Sequence, residues 1–166
     1  RALAAIMGAS FFPCQLCATG HPVESALIRY TVKPVAPEQH RFQVTVTLDD
    51  VDTAVTWRLP AWVPGSYMIR DFARHVVSLA ATAGGKPLPL AKLDKQTWQT
   101  AAPAAPAEVT LTLEFHAHDN SVRAAFLDNR YGFFDGASLL PEPVGHDHAA
   151  CTLTLHAADT KPDWTL

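Results

Sequence analysis

The chain has 166 residues, enough for one domain that buries roughly two-thirds of the surface its unfolded chain exposes. The hydrophobic fraction of 48%, the charged fraction of 17% and the net charge of −3 exclude a disordered chain and a basic, nucleic-acid-binding surface. No stretch reaches the ~20 apolar residues that a membrane-spanning helix needs. Thirteen prolines and eight glycines favour short strands joined by turns over long helices.

The first 25 residues differ in character from the rest. An apolar run is interrupted by Pro13 and by the Cys14-x-x-Cys17 pair, which is unlike a secretory signal. We therefore interpret residues 1–25 as a leader or an expression-derived segment of unclear origin, and residues 26–166 as the folded domain. The two cysteines lack the histidine of a haem attachment site and the βαβ context of a redox site, and Cys151 is far away. The motif is therefore most simply incidental.

Alternation of apolar and polar residues predicts strands along the folded domain. Residues 27–32 and 42–48 form a first predicted hairpin, and a third strand at 54–59 ends at Pro60. Gly84 and Gly85 allow the positive backbone angles of a tight hairpin. Further strands are predicted at 75–82, 86–90, 93–100, 109–115 and 152–156, whereas 121–143 is predicted to be irregular. We expect an all-β fold, an antiparallel β-sandwich or saddle-like sheet of about eight or more short strands.

Two pairs of histidines have the spacing of metal ligands on a strand. His116 and His118 are separated by one residue on a predicted strand, so both imidazoles point to the same face, and His146 and His148 repeat this spacing near the next predicted strand. Two pairs on neighbouring strands could bind a metal ion; the alternative is that they are ordinary, half-exposed strand histidines. Nothing in the sequence places the pairs near each other.

The motifs of the common hydrolases and nucleotide-binding proteins are missing. Each of the eight histidines is followed by a residue other than Glu, so the H-E-x-x-H helix of a metallopeptidase is absent. There is also no G-x-S-x-G, P-loop or G-x-G-x-x-G. We therefore predict no catalytic residue and no cofactor in this chain.

Three blocks of sequence resemble a known family. Residues 59–76, LPAWVPGSYMIRDFARHV, resemble the signature of the N-terminal domain in the glycyl-aminopeptidase family, which are PDZ-containing zinc metallopeptidases. Residues 119–124 and 131–139 resemble the second and third blocks of that family, in the same order. The structural signature consists of Trp62, Pro64, Gly65, Ser66, Tyr67, Arg70, Phe72 and Arg74. We expect it mainly to fix a turn and to pack in the core.

The resemblance implies a longer protein, in which a catalytic domain with H-E-x-x-H and zinc, and then a PDZ module, follow this non-catalytic domain. The expected partners are the catalytic domain of the same polypeptide and a peptide substrate, with no nucleic acid and no membrane span. The compartment stays open between cytoplasm and periplasm. By analogy with related aminopeptidases, we expect the substrate cleft or domain interface to be lined by Asn129, Arg130, Tyr131, Phe133, Phe134, Asp135, Gly136 and Ser138.

Large aromatic residues in the irregular segments fit such an interface. In an isolated domain some of Trp62, Tyr67, Phe72, Phe133 and Phe134 would be exposed, and a second domain would cover them. Nearby charged residues could pair with carboxylates across the interface or within the domain: Arg70, Asp71, Arg74, Arg123 and Arg130. The alternative is a stand-alone, immunoglobulin-like binding module that uses these aromatics as its contact surface.

Overall fold

The computed structural model describes residues 3–6 and 27–157. The strands are, in chain order, β1 Leu3–Ile6, β2 Leu27–Ala36, β3 Arg41–Val51, β4 Thr56–Arg58, β5 Val76–Ala83, β6 Lys86–Leu88, β7 Leu90–Lys92, β8 Thr97–Thr100, β9 Ala107–His116, β10 Ala125–Leu127, β11 Gly132–Asp135, β12 Glu142–Pro143 and β13 Ala150–Leu155. One helical turn, α1, spans Gly136–Leu139, and 3-10 turns span Pro37–Gln39 and Phe72–His75.

A six-stranded sheet in the order β13-β2-β3-β9-β5-β6 forms the largest layer. The two central strands alternate strictly, with Phe42, Val44, Val46 and Leu48 of β3 buried, as are the residues that β9 places opposite them. Between them, polar residues such as Thr45 and its partner Thr112 are only half-buried. The sheet therefore has one apolar face in the core and one open, threonine-rich face.

Two smaller sheets complete the fold and contribute to the same core. One has the order β12-β4-β8-β7 and supplies Trp57 and Trp98, and the other has the order β1-β11-β10 and supplies Leu127 and Phe134. The prediction of an all-β, sandwich-like domain is confirmed. The sheets are mixed, however, because β13 pairs with β2 and β1 pairs with β11 in parallel, while the other strand pairs are antiparallel.

Most predicted strands are confirmed where the pattern is local. The first hairpin forms with Tyr30 opposite Val46, and Gly84 and Gly85, at φ +52° and +78°, connect β5 to β6. The predicted strand 86–90 is divided between two sheets, because Pro89 separates β6 from β7.

The prediction of an irregular segment at 121–143 is wrong, since it holds β10, β11, α1 and β12. These strands have two to four residues each, too few for a visible alternation. β1 falls within residues 1–25, whose origin stays a prediction, and Cys14 and Cys17 lie outside the described residues. In the described part of the chain, no helix is long and apolar enough to cross a membrane.

Candidate functional site

The three sequence blocks lie side by side at one end of the large sheet. At this end Arg41, the first residue of β3, pairs with His116, the last residue of β9. The first block (59–76) leads into β5, and we call its residues 59–75 the signature loop; the second block (119–124) follows β9. Arg70 Nη1 of the signature loop donates to Ser121 Oγ of the second block at 3.4 Å. The second block is bonded to the third (131–139) because Asp135 N donates to Ala124 O at 2.9 Å.

A tight turn shapes the tip of the signature loop. Ser66 N donates to Val63 O at 3.1 Å, and Gly65 between them has φ +81°, a conformation that favours glycine. The indole N–H of Trp62 donates to Ser66 O at 2.8 Å. The turn that we predicted from Pro64-Gly65-Ser66 is therefore present, and the indole N–H of Trp62 stabilises it.

Backbone bonds also close the base of the loop. Ala61 O accepts hydrogen bonds from Arg70 N at 2.7 Å and from Asp71 N at 3.2 Å, which brings the two arms of the loop together. Asp71 has φ +48°, an unusual conformation for a residue with a side chain, and its carboxylate pairs with Lys95 Nζ at 2.7 Å. The arms are thus fixed by the backbone rather than by flexible side chains.

The side chains of the loop divide sharply between core and solvent. Phe72 is 3% exposed and Val63 4% exposed, so both belong to the core. Tyr67, Met68 and Ile69 are 106%, 61% and 66% exposed. The signature loop therefore fixes a turn and contributes to the core, while the residues at its tip are largely exposed in the described structure.

The charged residues near the loop fall into two groups. Arg130 pairs with Asp128 at 3.0 Å, as Asp71 does with Lys95. By contrast, the Arg70 side chain donates hydrogen bonds to the hydroxyls of Ser66 and Ser121. Arg74 Nε donates to the imidazole of His75, and the guanidinium of Arg123 lies close to Gly65. Within residues 27–157, no carboxylate forms an ion pair with Arg70, Arg74 or Arg123.

The segment expected at the cleft begins with an exposed turn and an aromatic row. Asp128 Oδ1 accepts from Arg130 N at 2.7 Å and from Tyr131 N at 3.0 Å, which leaves Asn129 and Arg130 exposed at the turn. Two half-buried rings stack on Phe126: Tyr131 at 5.2 Å and Phe133 at 6.1 Å between centroids. These residues form a partly accessible surface.

The later residues of the segment have structural roles. Phe134 is buried in the core, 5.9 Å from the ring of Phe42. Asp135 caps α1, since its Oδ1 accepts from Ala137 N at 2.9 Å. Ser138 is fully buried and donates to Asp135 O at 2.7 Å, and Gly136 begins the helical turn.

A histidine cluster lies at the same end of the sheet. The rings of His116 and His118 are 6.0 Å apart, and a third ring, His40, stacks on His118 at 3.9 Å. His40 Nδ1 donates to the carbonyl of Leu127. Sequence spacing identified the H-x-H pair but not His40, which β3 pairing brings from a distant part of the chain.

Burial lowers the pKa of two histidines in this region. For His75, burial is the main cause and the neighbouring Arg74 charge adds to it; Arg74 Nε donates to His75 Nε2 at 3.0 Å, which requires a neutral ring. For His116, burial is again the main cause of the lowered pKa, and the positive charge of Arg41 is the second cause.

The second pair, His146 and His148, lies in the loop between β12 and β13. In the described ranges, no group of three or more His, Cys, Asp and Glu side chains is arranged to hold a metal ion.

A concave feature lies at the opposite end of β3. A crevice of about 360 Å³ is lined by the residues that follow β3, among them Asp50 and Asp52, and by His146. Asp50 comes nine residues after Arg41 in β3, so this part of the crevice is roughly 30 Å along the strand from the end of the sheet where the blocks lie. The residues that line this crevice include none from the three blocks.

Comparison with known proteins places this arrangement in a class. The model of the Peptidase M61 N-terminal domain matches residues 29–166. A solved structure of an aminopeptidase N family protein from Idiomarina loihiensis is 37% identical, with a TM-score of 0.77 over 81% of this chain. The chain is thus a peptidase-associated N-terminal domain. It belongs to the Peptidase M61 N-terminal domain family.

The other comparisons add little. Two structures of an M1 zinc metallopeptidase E323A mutant from Deinococcus radiodurans, one with a bound Tyr-Ser-Ala substrate, match 80% of this chain and 32% and 31% of theirs, at 11% identity and TM-scores of 0.44 and 0.47. Comparison with curated sequences gave no match. The chain spans 23% of the length of the Idiomarina protein.

Proposed function

We propose that this chain is the non-catalytic N-terminal β domain of a zinc-dependent aminopeptidase, of the glycyl-aminopeptidase type with a PDZ module. It packs on the catalytic domain of the same polypeptide and shapes the substrate cleft. The observation that carries the proposal is family membership together with length, since the chain matches an N-terminal peptidase domain and spans 23% of a 37% identical aminopeptidase N family protein.

Zinc would be held by the catalytic domain. The described residues of this chain present no ligand group for it, and the sequence has no H-E-x-x-H. When bound in such enzymes, zinc polarises the scissile carbonyl and activates water. The contribution of this chain is to position and enclose the peptide, not to react with it.

The exposed turn at Asn129 and Arg130, with the half-buried rings of Tyr131 and Phe133 beside it, is our proposed cleft wall. Arg130→Ser in the longer enzyme should raise KM for peptides and leave kcat unchanged, as expected when ground-state and transition-state binding are lost equally. Arg58→Ser is the matched control, because Arg58 is also an exposed arginine paired with an acid, Glu142. Equal effects of the two variants would refute a role in the cleft.

Activity measurements test the proposal as a whole. The 166-residue chain, supplied with zinc, should not hydrolyse aminoacyl p-nitroanilides above the buffer rate, whereas the protein encoded with the sequence after Leu166 should, in a chelator-sensitive manner. The following coding sequence should contain H-E-x-x-H. Chelator-sensitive turnover by the 166-residue chain, or a following sequence without that motif, would contradict the proposal.

A second function is a stand-alone binding module with the exposed tip of the signature loop as its contact surface. The exposure of Tyr67, Met68 and Ile69 favours it as much as it favours a domain interface. The same coding sequence separates the two functions, because a stand-alone module requires no peptidase domain after it.

A further inference from the structure

Five exposed apolar side chains lie in two segments that a hydrogen bond joins, at the end of the large sheet where the blocks meet. Four belong to the signature loop, and Val122, 65% exposed, belongs to the second block, beside the Ser121 hydroxyl that Arg70 contacts. We call this surface the tip; its loop members are Trp62, Tyr67, Met68 and Ile69. Single exposed apolar residues are normal on protein surfaces, but a contiguous set marks an interaction site.

The tip is held rigidly before any partner arrives. Ser66 Oγ donates to Met68 O at 2.9 Å and accepts from Arg70 Nε at 3.3 Å, so one buried hydroxyl connects the exposed apolar residues to the arm of the loop. The Trp62 indole closes the turn from the other side. Because these hydrogen bonds hold the backbone of the turn, less ordering entropy is lost when a partner covers the apolar residues.

The charges around the tip indicate the chemistry of the partner. Arg70 and Arg123 border the apolar residues, and neither has an ion pair in the described part of the chain. Guanidinium groups bind carboxylates through two parallel hydrogen bonds, and such pairs direct the orientation of an interface. The surface that fits the tip is therefore an apolar pocket bordered by Asp or Glu.

A second copy of this chain is a poor fit. A two-fold symmetric dimer formed through the tip would bring two identical surfaces together, each bordered by Arg70 and Arg123, so repulsion between the two positive borders would oppose it. A different surface of the same longer protein avoids this conflict. The relative from Idiomarina has 77% of its length outside the matched domain, enough to supply it (100% minus the 23% covered).

We infer that the tip docks into the catalytic domain that follows in the longer protein, in an apolar pocket bordered by acidic side chains. This rests on the proposed function and adds the contact surface, which lies on the signature loop rather than on the 129–138 segment. The tip would then orient the N-terminal domain, while that segment contributes to the cleft wall.

Site-specific cross-linking in the full-length protein tests the inference. A photoreactive phenylalanine replaces Tyr67 in one variant and Leu93 in the control, since Leu93 is also a large exposed apolar residue, 55% exposed, but lies outside the blocks. After irradiation, mass spectrometry locates the cross-linked residues. We expect position 67 to link to residues beyond 166 in the same chain, at a yield independent of protein concentration and at least about tenfold above that of position 93.

Charge reversal tests the role of the arginines in the same assay. Arg123→Glu should reduce the yield from position 67 at least about fivefold, whereas Arg58→Glu should not. Links from position 67 that rise with protein concentration would assign the tip to a second copy. Links confined to residues 27–157, or equal yields from positions 67 and 93, would also overturn the inference.

Aminopeptidase activity of the same preparation distinguishes failure of the docking inference from failure of the proposed function. If chelator-sensitive activity is present but position 67 does not link to the catalytic domain, the docking surface is wrong and the proposed function stands. If no peptidase domain follows Leu166, both are wrong.

Discussion

Phe72 and Tyr67 lie in the same loop but differ completely in burial, at 3% and 106% exposed. Replacing a buried phenylalanine by alanine costs ~3–5 kcal/mol in unfolding free energy through lost burial and the cavity left behind. For a domain of this size, 1 kcal/mol shifts Tm by ~2–4 °C, so a cost of about 3 kcal/mol lowers Tm by about 6–12 °C for Phe72→Ala. Tyr67→Ser loses no buried area and should change stability by less than ~0.5 kcal/mol.

Urea unfolding followed by circular dichroism measures both variants of the 166-residue chain. The m-value should be unchanged, because the surface exposed on unfolding is nearly the same. A loss of more than about 1 kcal/mol in Tyr67→Ser would show that the tip packs against the domain itself, and would refute the division of the loop into a buried anchor and a free tip.

Three further predictions concern the same end of the molecule. Burial lowers the pKa of His75 and His116, so the unfolded state binds protons before the folded state does as the pH falls below ~6.5. The urea midpoint should therefore drop between pH 7.5 and 5.5, and it should drop less steeply in His75→Gln. A midpoint that rises on acidification would contradict this prediction. Gly65→Ala should lower the free energy of unfolding in urea by ~1 kcal/mol, because residue 65 has φ +81°. Gly136→Ala should leave it nearly unchanged, since an added Cβ would make only an ordinary contact at 3.7 Å. Equal costs in the two variants would argue against the turn at Gly65. Asp135→Ala removes the cap of α1 and should cost ~0.5–2 kcal/mol, with Asp135→Asn retaining most of it; an unchanged urea midpoint would show that the cap is not formed.

The sequence predicted those parts of the fold that depend on local pattern. β3 and β9 are long, strictly alternating strands, and Gly84-Gly85 has a turn conformation that few other pairs adopt. Pairing between distant parts of the chain has no such signal. β10 and β11 exist because Phe126 and Phe133 pair across them, and β13 pairs with β2 through contacts that no local pattern encodes.

The family blocks lie together at one end of the large sheet, but the sequence does not reveal the structural role of each of their residues. The family blocks identify the end of the sheet, yet their letters do not reveal which apolar residues face solvent. Phe72 and Tyr67 are both large aromatic residues of the same loop. The turn at Gly65 and the backbone hydrogen bonds to Ala61 O place one in the core and the other in solvent. Likewise, Asp135 is an acidic residue in the segment expected at the cleft, but its carboxylate accepts a hydrogen bond from Ala137 N and so caps α1.

The parallel pairing of β13 with β2 has a consequence for synthesis of the protein. β2 emerges first among the strands of the large sheet, and its outer edge stays uncovered until Ala150–Leu155 has left the ribosome. A ten-residue strand with free backbone donors and acceptors is a template for pairing with neighbouring nascent chains. We therefore expect chains ended before Ala150 to aggregate more than the 166-residue chain, even though the central strands of their sheet are complete.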